Sequence, residues 1–196
     1  MLFNSFAFAA FGPVVYATWR LLPKAAARWW LLAASLFFYG SWDWRFLGLL
    51  VATSTLDWAL ALQMESTEGR ARKALVTTSV VVNLSTLAIF KYLGFFAAEL
   101  GHLLARFGVA LPPLAIDVVL PVGISFYTFQ AIGYSVDVYR RELPAVRRLP
   151  DFLLFITFFP HLVAGPIQRS AQLLPQLAQM QQPSRRQMSE GAWLIL

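Results

Sequence analysis

The chain has 196 residues, 58% hydrophobic and 13% charged, with a net charge of +6 and no cysteine. Soluble domains hold about 45–50% apolar and about 25% charged residues, so composition excludes an ordinary soluble domain. Thiol catalysis, disulfides and Cys-ligated metal are excluded within the chain, and two histidines 59 residues apart make no metal site.

Several runs of about 20 residues carry almost no charge, which predicts an all-α, polytopic membrane bundle. The first run covers residues 2–22, kinked at Pro13 and ended by Pro23. No basic residue precedes it and Arg20 closes it, so it reads as a retained helix and not a cleavable signal peptide. Further runs cover residues 29–39, 46–62 and 74–98. Asp57 and Lys91, ionisable residues in the last two, either pair across helices or leave Lys91 to snorkel to the interface. Trp29, Trp30, Trp42, Trp44 and Trp58 mostly flank run ends, as an aromatic belt does. Residues 99–107 read as a separate interfacial helix, apolar at Leu100, Leu103, Leu104 and Phe107 and wet at Glu99, His102 and Arg106.

The fifth run, 118–139, holds a polar stripe. At 100° per residue, Tyr127, Gln130, Tyr134 and Asp137 fall within an arc of roughly 80°, with Gly123 and Arg141 beside them. Such a stripe faces other helices or a wet cavity, because an unpaired carboxylate in hydrocarbon costs at least about 2.5 kcal/mol. Either it lines a cavity, or it supplies hydrogen bonds between helices.

The sixth run, 152–167, contains Phe159-Pro160-His161-Leu162-Val163-Ala164-Gly165-Pro166. Two prolines six residues apart forbid an unbroken helix, and broken backbone at membrane depth requires protein or a water-filled cavity around it. His161 therefore lies in an interior irregular piece. Two readings stand for it: a group on a substrate path, or a ring that satisfies a carbonyl freed by Pro160. Residues 176–189 read as a polar, Gln-rich connection, and a seventh run starts at Gly191 and continues to Leu196. Neither an internal repeat nor a phosphate loop, Ser-His-Asp set or paired-carboxylate site is visible.

Basic residues sit in the short loops and mark topology and anionic lipid, with no nucleic acid implied. The five successive connections carry three, one, three, one and four of them. That alternation places the first connection in the cytoplasm and the N-terminus outside. Arg169, Arg185 and Arg186 then fall on the wrong side, which a re-entrant segment at 152–167 resolves; a statistical exception to the rule is the alternative.

LPVGISFYTFQAIGYSVDVYR followed by FFPHLVAGPIQR resembles the membrane-bound O-acyltransferase family, in its alginate O-acetyltransferase branch from bacterial inner membranes. Weaker similarity runs from the N-terminal Phe-rich helix through Phe90-Lys91-Tyr92. Chains of that family are more than twice this long, and the resemblance places their catalytic histidine beyond Leu196. It implies the N-terminal part of such an enzyme, with no catalytic residue, metal or bound cofactor of its own. It implies transfer of acetyl from a cytoplasmic thioester such as acetyl-CoA to hydroxyls of an extracytoplasmic polysaccharide, in some systems with periplasmic partner proteins. In that setting Tyr127, Gln130, Tyr134, Asp137 and His161 would line the path. The residues alone also allow a transporter or channel half, since broken helices and a mid-membrane stripe are transporter features.

Overall fold

In the computed structural model the described residues are 5–107, 119–162, 168–180 and 183–195, and among them every regular element is helical. Helix α1, Phe6–Leu21, opens where Ser5 Oγ accepts from the Phe8 amide at 3.2 Å, and stops at Leu22-Pro23. Helix α2, Lys24–Gly40, buries Ala27, Leu31, Ala34, Ser35 and Phe38, a 3.6-residue stripe. It starts five residues before the apolar run because the stems of Lys24 and Arg28 lie on its first turns, with the charges at the end of the bundle. Helix α3, Trp44–Ser66, begins at Asp43, whose carboxylate accepts from the Arg45 amide at 3.0 Å. Helix α4, Gly69–Arg106, turns only a narrow face inward: Arg72, Val76, Ser79, Asn83 and Leu87. Val81, Leu84, Ile89 and Phe96 point outward. Helices α3 and α4 are both long and apolar enough to cross a membrane.

Residues 99–107 do not form a separate helix. They extend α4 without a break, since Gly101 alone is too weak a breaker. Phe46 meets Phe90 edge-on at 5.8 Å, which sets residue 90 level with the first turn of α3. The rest of α4 therefore projects about 24 Å past that level. Lys91 is exposed there, over the Tyr92 ring at 5.3 Å. Of the two readings, pairing with Asp57 does not occur, since Asp57 is bonded to Ser79 and Asn83.

Helix α5, Ile124–Tyr139, is the hub, buried around most of its circumference and packed against α3, α4, α6 and α8. Its run was expected from 118, but residues 119–123 are a loop ending in Gly123 at φ 75°, and residue 118 lies outside the described residues. Helix α6, Leu149–Thr157, leads into Phe158 at φ −51°, ψ 103°, and a single turn, α7, Phe159–Leu162. The break at Pro160 is thus in view, while the second expected break, Gly165-Pro166, lies outside the described residues. Helix α8, Ser170–Gln179, takes the start of what reads in sequence as a polar connection. Helix α9, Arg185–Ile195, absorbs the seventh run and starts six residues before it, because the Arg186–Glu190 pair at 2.7 Å supports its polar first turns. Leu196, the last residue of that run and the point beyond which the catalytic histidine is expected, lies outside the described residues.

Three connections share one end of the bundle. Arg141 of the α5–α6 loop bonds Glu68 at 2.8 Å, Arg147 bonds Glu65 at 2.6 Å, and Arg28 bonds Asp151 at 3.3 Å. Helix α8 reaches the same end, where its Ala178 carbonyl accepts from Arg28 at 3.1 Å. The chain therefore leaves the basic end in α6 and has come back to it in α8.

Candidate functional site

The polar stripe of α5 is an interior column. Tyr127, Gln130 and Tyr134 are buried to 2% exposure or less, facing α2, α6 and the loop after α5. Asp137, one turn further on, is half-buried at the basic end. The side chains line up because positions three and four apart share a face.

The column begins against the broken segment. Gly123 brings its backbone against Leu162, where an added Cβ would stand 2.9 Å from the carbonyl oxygen. A left-handed φ and that close approach both require glycine. Two carbonyls lose their usual helical donors at the break. Pro160 has no N–H for Ile156, and the Phe159 N–H turns to Ser35 Oγ on α2 at 3.3 Å, leaving the Phe155 carbonyl. Gln130 Nε2 takes up that carbonyl at 2.9 Å. Its other amide atom, Oε1, lies 3.3 Å from His161 Nε2. The imidazole sits 5.5 Å from the rings of both Phe126 and Phe158 and is 7% exposed.

The rest of the column is tied to the basic end. Tyr134 accepts at its hydroxyl from the Val146 amide at 2.9 Å, and Trp58 Nε1 donates to the Val146 carbonyl at 2.8 Å. Glu65 accepts from the Ala145 amide. Tyr134 is thereby a clasp for the loop, with its hydroxyl engaged. At the far end, the Tyr39 and Tyr127 hydroxyls face each other, and the Thr128 hydroxyl is sealed from solvent without a hydrogen bond among the described residues.

Beside the column a cavity of about 360 Å³ opens at the basic end. Gln130 and Gly133 form its inner wall; Asp137, Arg140, Arg169 and Ser170 surround its mouth. Gln130 thus touches the cavity and His161 at once. From Arg140 to Gln130 the helix descends about 15 Å.

Sequence reasoning missed the partners of one interior group and the burial of another. Asp57, fully buried on α3, accepts from Ser79 Oγ at 2.6 Å and from Asn83 Nδ2 at 2.8 and 2.9 Å. Ser135 on α5 joins it through Ser79 at 2.8 Å. The helical spacing of Ser79 and Asn83 was the available signal. Arg72, counted as a loop charge, is 7% exposed and donates to the carbonyls of Met64, Thr67, Val138 and Tyr139. No sequence pattern announces that.

These features define a helical chain of membrane type, with a polar column packed on a broken helix. No protein-family model matches it, and no solved structure does. It is 38% identical over 179 residues to a protein of Azotobacter vinelandii named probable alginate O-acetylase AlgI, covering 90% of this chain and 36% of the relative. A Pseudomonas aeruginosa protein of the same name is 37% identical over 90% of this chain and 34% of its own length. A Helicobacter pylori peptidoglycan O-acetyltransferase is 31% identical over 90% of this chain and 38% of its own. The chain is thus a relative of bacterial O-acetyltransferases of the membrane-bound O-acyltransferase family. It spans about a third of the length of these relatives.

Proposed function

We propose that this chain is part of a bacterial inner-membrane O-acetyltransferase that moves acetyl from a cytoplasmic thioester, such as acetyl-CoA, to hydroxyls of an extracytoplasmic polysaccharide. The observation that carries the reading is the 179-residue similarity to a protein named as an alginate O-acetylase. We read α1 to α5 as spans, with the N-terminus outside and the basic connections in the cytoplasm. The broken α6–α7 segment is then re-entrant, since the chain leaves and regains one end of the bundle. Irregular backbone at that depth is tolerable where protein surrounds it.

The cavity beside α5 is the donor's entrance in this reading. Its acyl end passes Gly133 and reaches the wall made by Gln130, behind which His161 stands. In the reaction a hydroxyl oxygen attacks the thioester carbonyl, the C–S bond breaks, and the hydroxyl proton passes to a base while the thiol leaves. The described residues supply no complete acid–base set, and the resemblance assigns the essential histidine to a position beyond Leu196. Partner proteins on the outer side would bring the polymer to the enzyme.

The test is a chimera. The part of the Azotobacter vinelandii relative that aligns with this chain is replaced by this chain and expressed in cells lacking their own alginate O-acetylase. Acetylated polymer is the expected product at membrane levels matched to the relative, while this chain expressed alone gives none. A well-inserted chimera without acetylation would sink the reading, and acetylation by this chain alone would sink the assignment of the base outside it.

A further inference from the structure

Resting on the acetyl-transfer reading, we propose that Gln130 is a positioning residue: it holds His161 as the tautomer protonated at Nε2, so that Nδ1 accepts a hydrogen bond from the hydroxyl that receives the acetyl group.

The chemistry of one carbonyl fixes the argument. The Phe155 oxygen can only accept, so the Gln130 atom 2.9 Å from it is the amide nitrogen. The amide oxygen then faces His161 Nε2 at 3.3 Å. That oxygen also only accepts, so the ring proton sits on Nε2 and the lone pair on Nδ1. The carbonyl is itself a product of the break, since the Phe159 amide that would serve it is bonded to Ser35. Sequence thus dictates tautomer through Pro160, the freed carbonyl and Gln130 in turn.

Nδ1 has no hydrogen-bond partner among the described residues, and the flanking Phe126 and Phe158 rings offer no donor to it. An acceptor nitrogen on a mostly buried ring is normally matched by a donor. The ring is nearly but not wholly enclosed. An aromatic setting favours a neutral imidazole and a neutral donor such as an alcohol over a cation. Gln130 is only 1% exposed, so both of its bonds are made out of bulk water.

The experiment is nitrogen-15 NMR of the chain with labelled histidine, in lipid nanodiscs, with the His161 signals identified by their loss in His161→Ala. The expected spectrum has the proton on Nε2. Gln130→Leu should give a mixture of tautomers. Gln130→Glu should keep the proton on Nε2, because a carboxyl in either form still offers an oxygen acceptor to His161. That rescue also separates loss of positioning from loss of fold. A proton on Nδ1 in the unaltered chain overturns the proposal, as does a tautomer unmoved in Gln130→Leu. In the chimera, Gln130→Leu should raise KM for the polymer about twofold, the factor by which an even mixture of tautomers dilutes the competent one. An unchanged polymer KM overturns the hydroxyl assignment alone and leaves the acetyltransferase reading standing. A chimera that never acetylates overturns that reading and the hydroxyl assignment with it, while the NMR result stands or falls by itself.

Discussion

Arg72 closes the ends of two helices at once. Its guanidinium donates to Met64 and Thr67, where α3 ends, and to Val138 and Tyr139, where α5 ends. The last carbonyls of a helix have no intrahelical donors and carry partial negative charge, so a cation there is doubly favourable. Arg72→Met should lower stability by about 3 kcal/mol, since hydrogen bonds to a charged group are worth about 1.5–3 kcal/mol each and several go together. Arg72→Lys should cost less, retaining the charge while losing the fork. Thermal unfolding in detergent reads the difference, and a wild-type midpoint for Arg72→Met would contradict the capping role. Asp57 makes the complementary case. Asp57→Ala strands Ser79 and Asn83 without their acceptor, and should destabilise by about 2–4 kcal/mol by the same measurement. The inward stripe of α5 was legible as residues because a period of 3.6 needs no partner to be seen. The spacing of Ser79 and Asn83 marks a polar face on α4 but not that it meets Asp57, and the partners of Arg72 left no signal, because these contacts join different helices.

At the level of elements, proline and glycine decide most. Pro160 announced the break between α6 and α7, and the structure adds which side chains serve it: Ser35 for the freed amide and Gln130 for the freed carbonyl. Gly123 fell on the polar arc in sequence, but its left-handed φ and contact with Leu162 belong to the folded chain. Gly123→Ala should therefore cost about 1–2 kcal/mol for the backbone conformation alone, with the contact to Leu162 on top. Thermal unfolding of the variant tests it, and native stability would mean that α5 and α7 do not meet as described. Helix α8 escaped the sequence reading because its last turn, from Gln176, reads as the start of a polar, Gln-rich connection. Its fold depends on burying Leu177 and Met180 beside the α5–α6 loop. The extension of α4 through residues 99–106 was divided from its helix only because the polarity changes at Glu99, and polarity alone does not end a helix.

For the whole molecule, the alternation of basic loops predicts a side for each connection, and ion pairs join three of the connections at one end of the bundle. Alkaline phosphatase fused after Arg148 should be inactive and fused after Arg106 active, which measures the sides directly; the reverse pattern would remove the topology and the charge argument together. The motif resemblance carried the functional reading further than any single residue, and the relatives extend it over nine-tenths of the chain. The decisive point is whether the broken segment borders the reaction path. Polymer acetylation by the chimera measures that, with His161→Ala compared to the unaltered chimera at equal membrane level. The predicted result is a loss of about 10²-fold with activity still measurable, the scale for a group that positions reactants. Unchanged acetylation in His161→Ala would contradict the account.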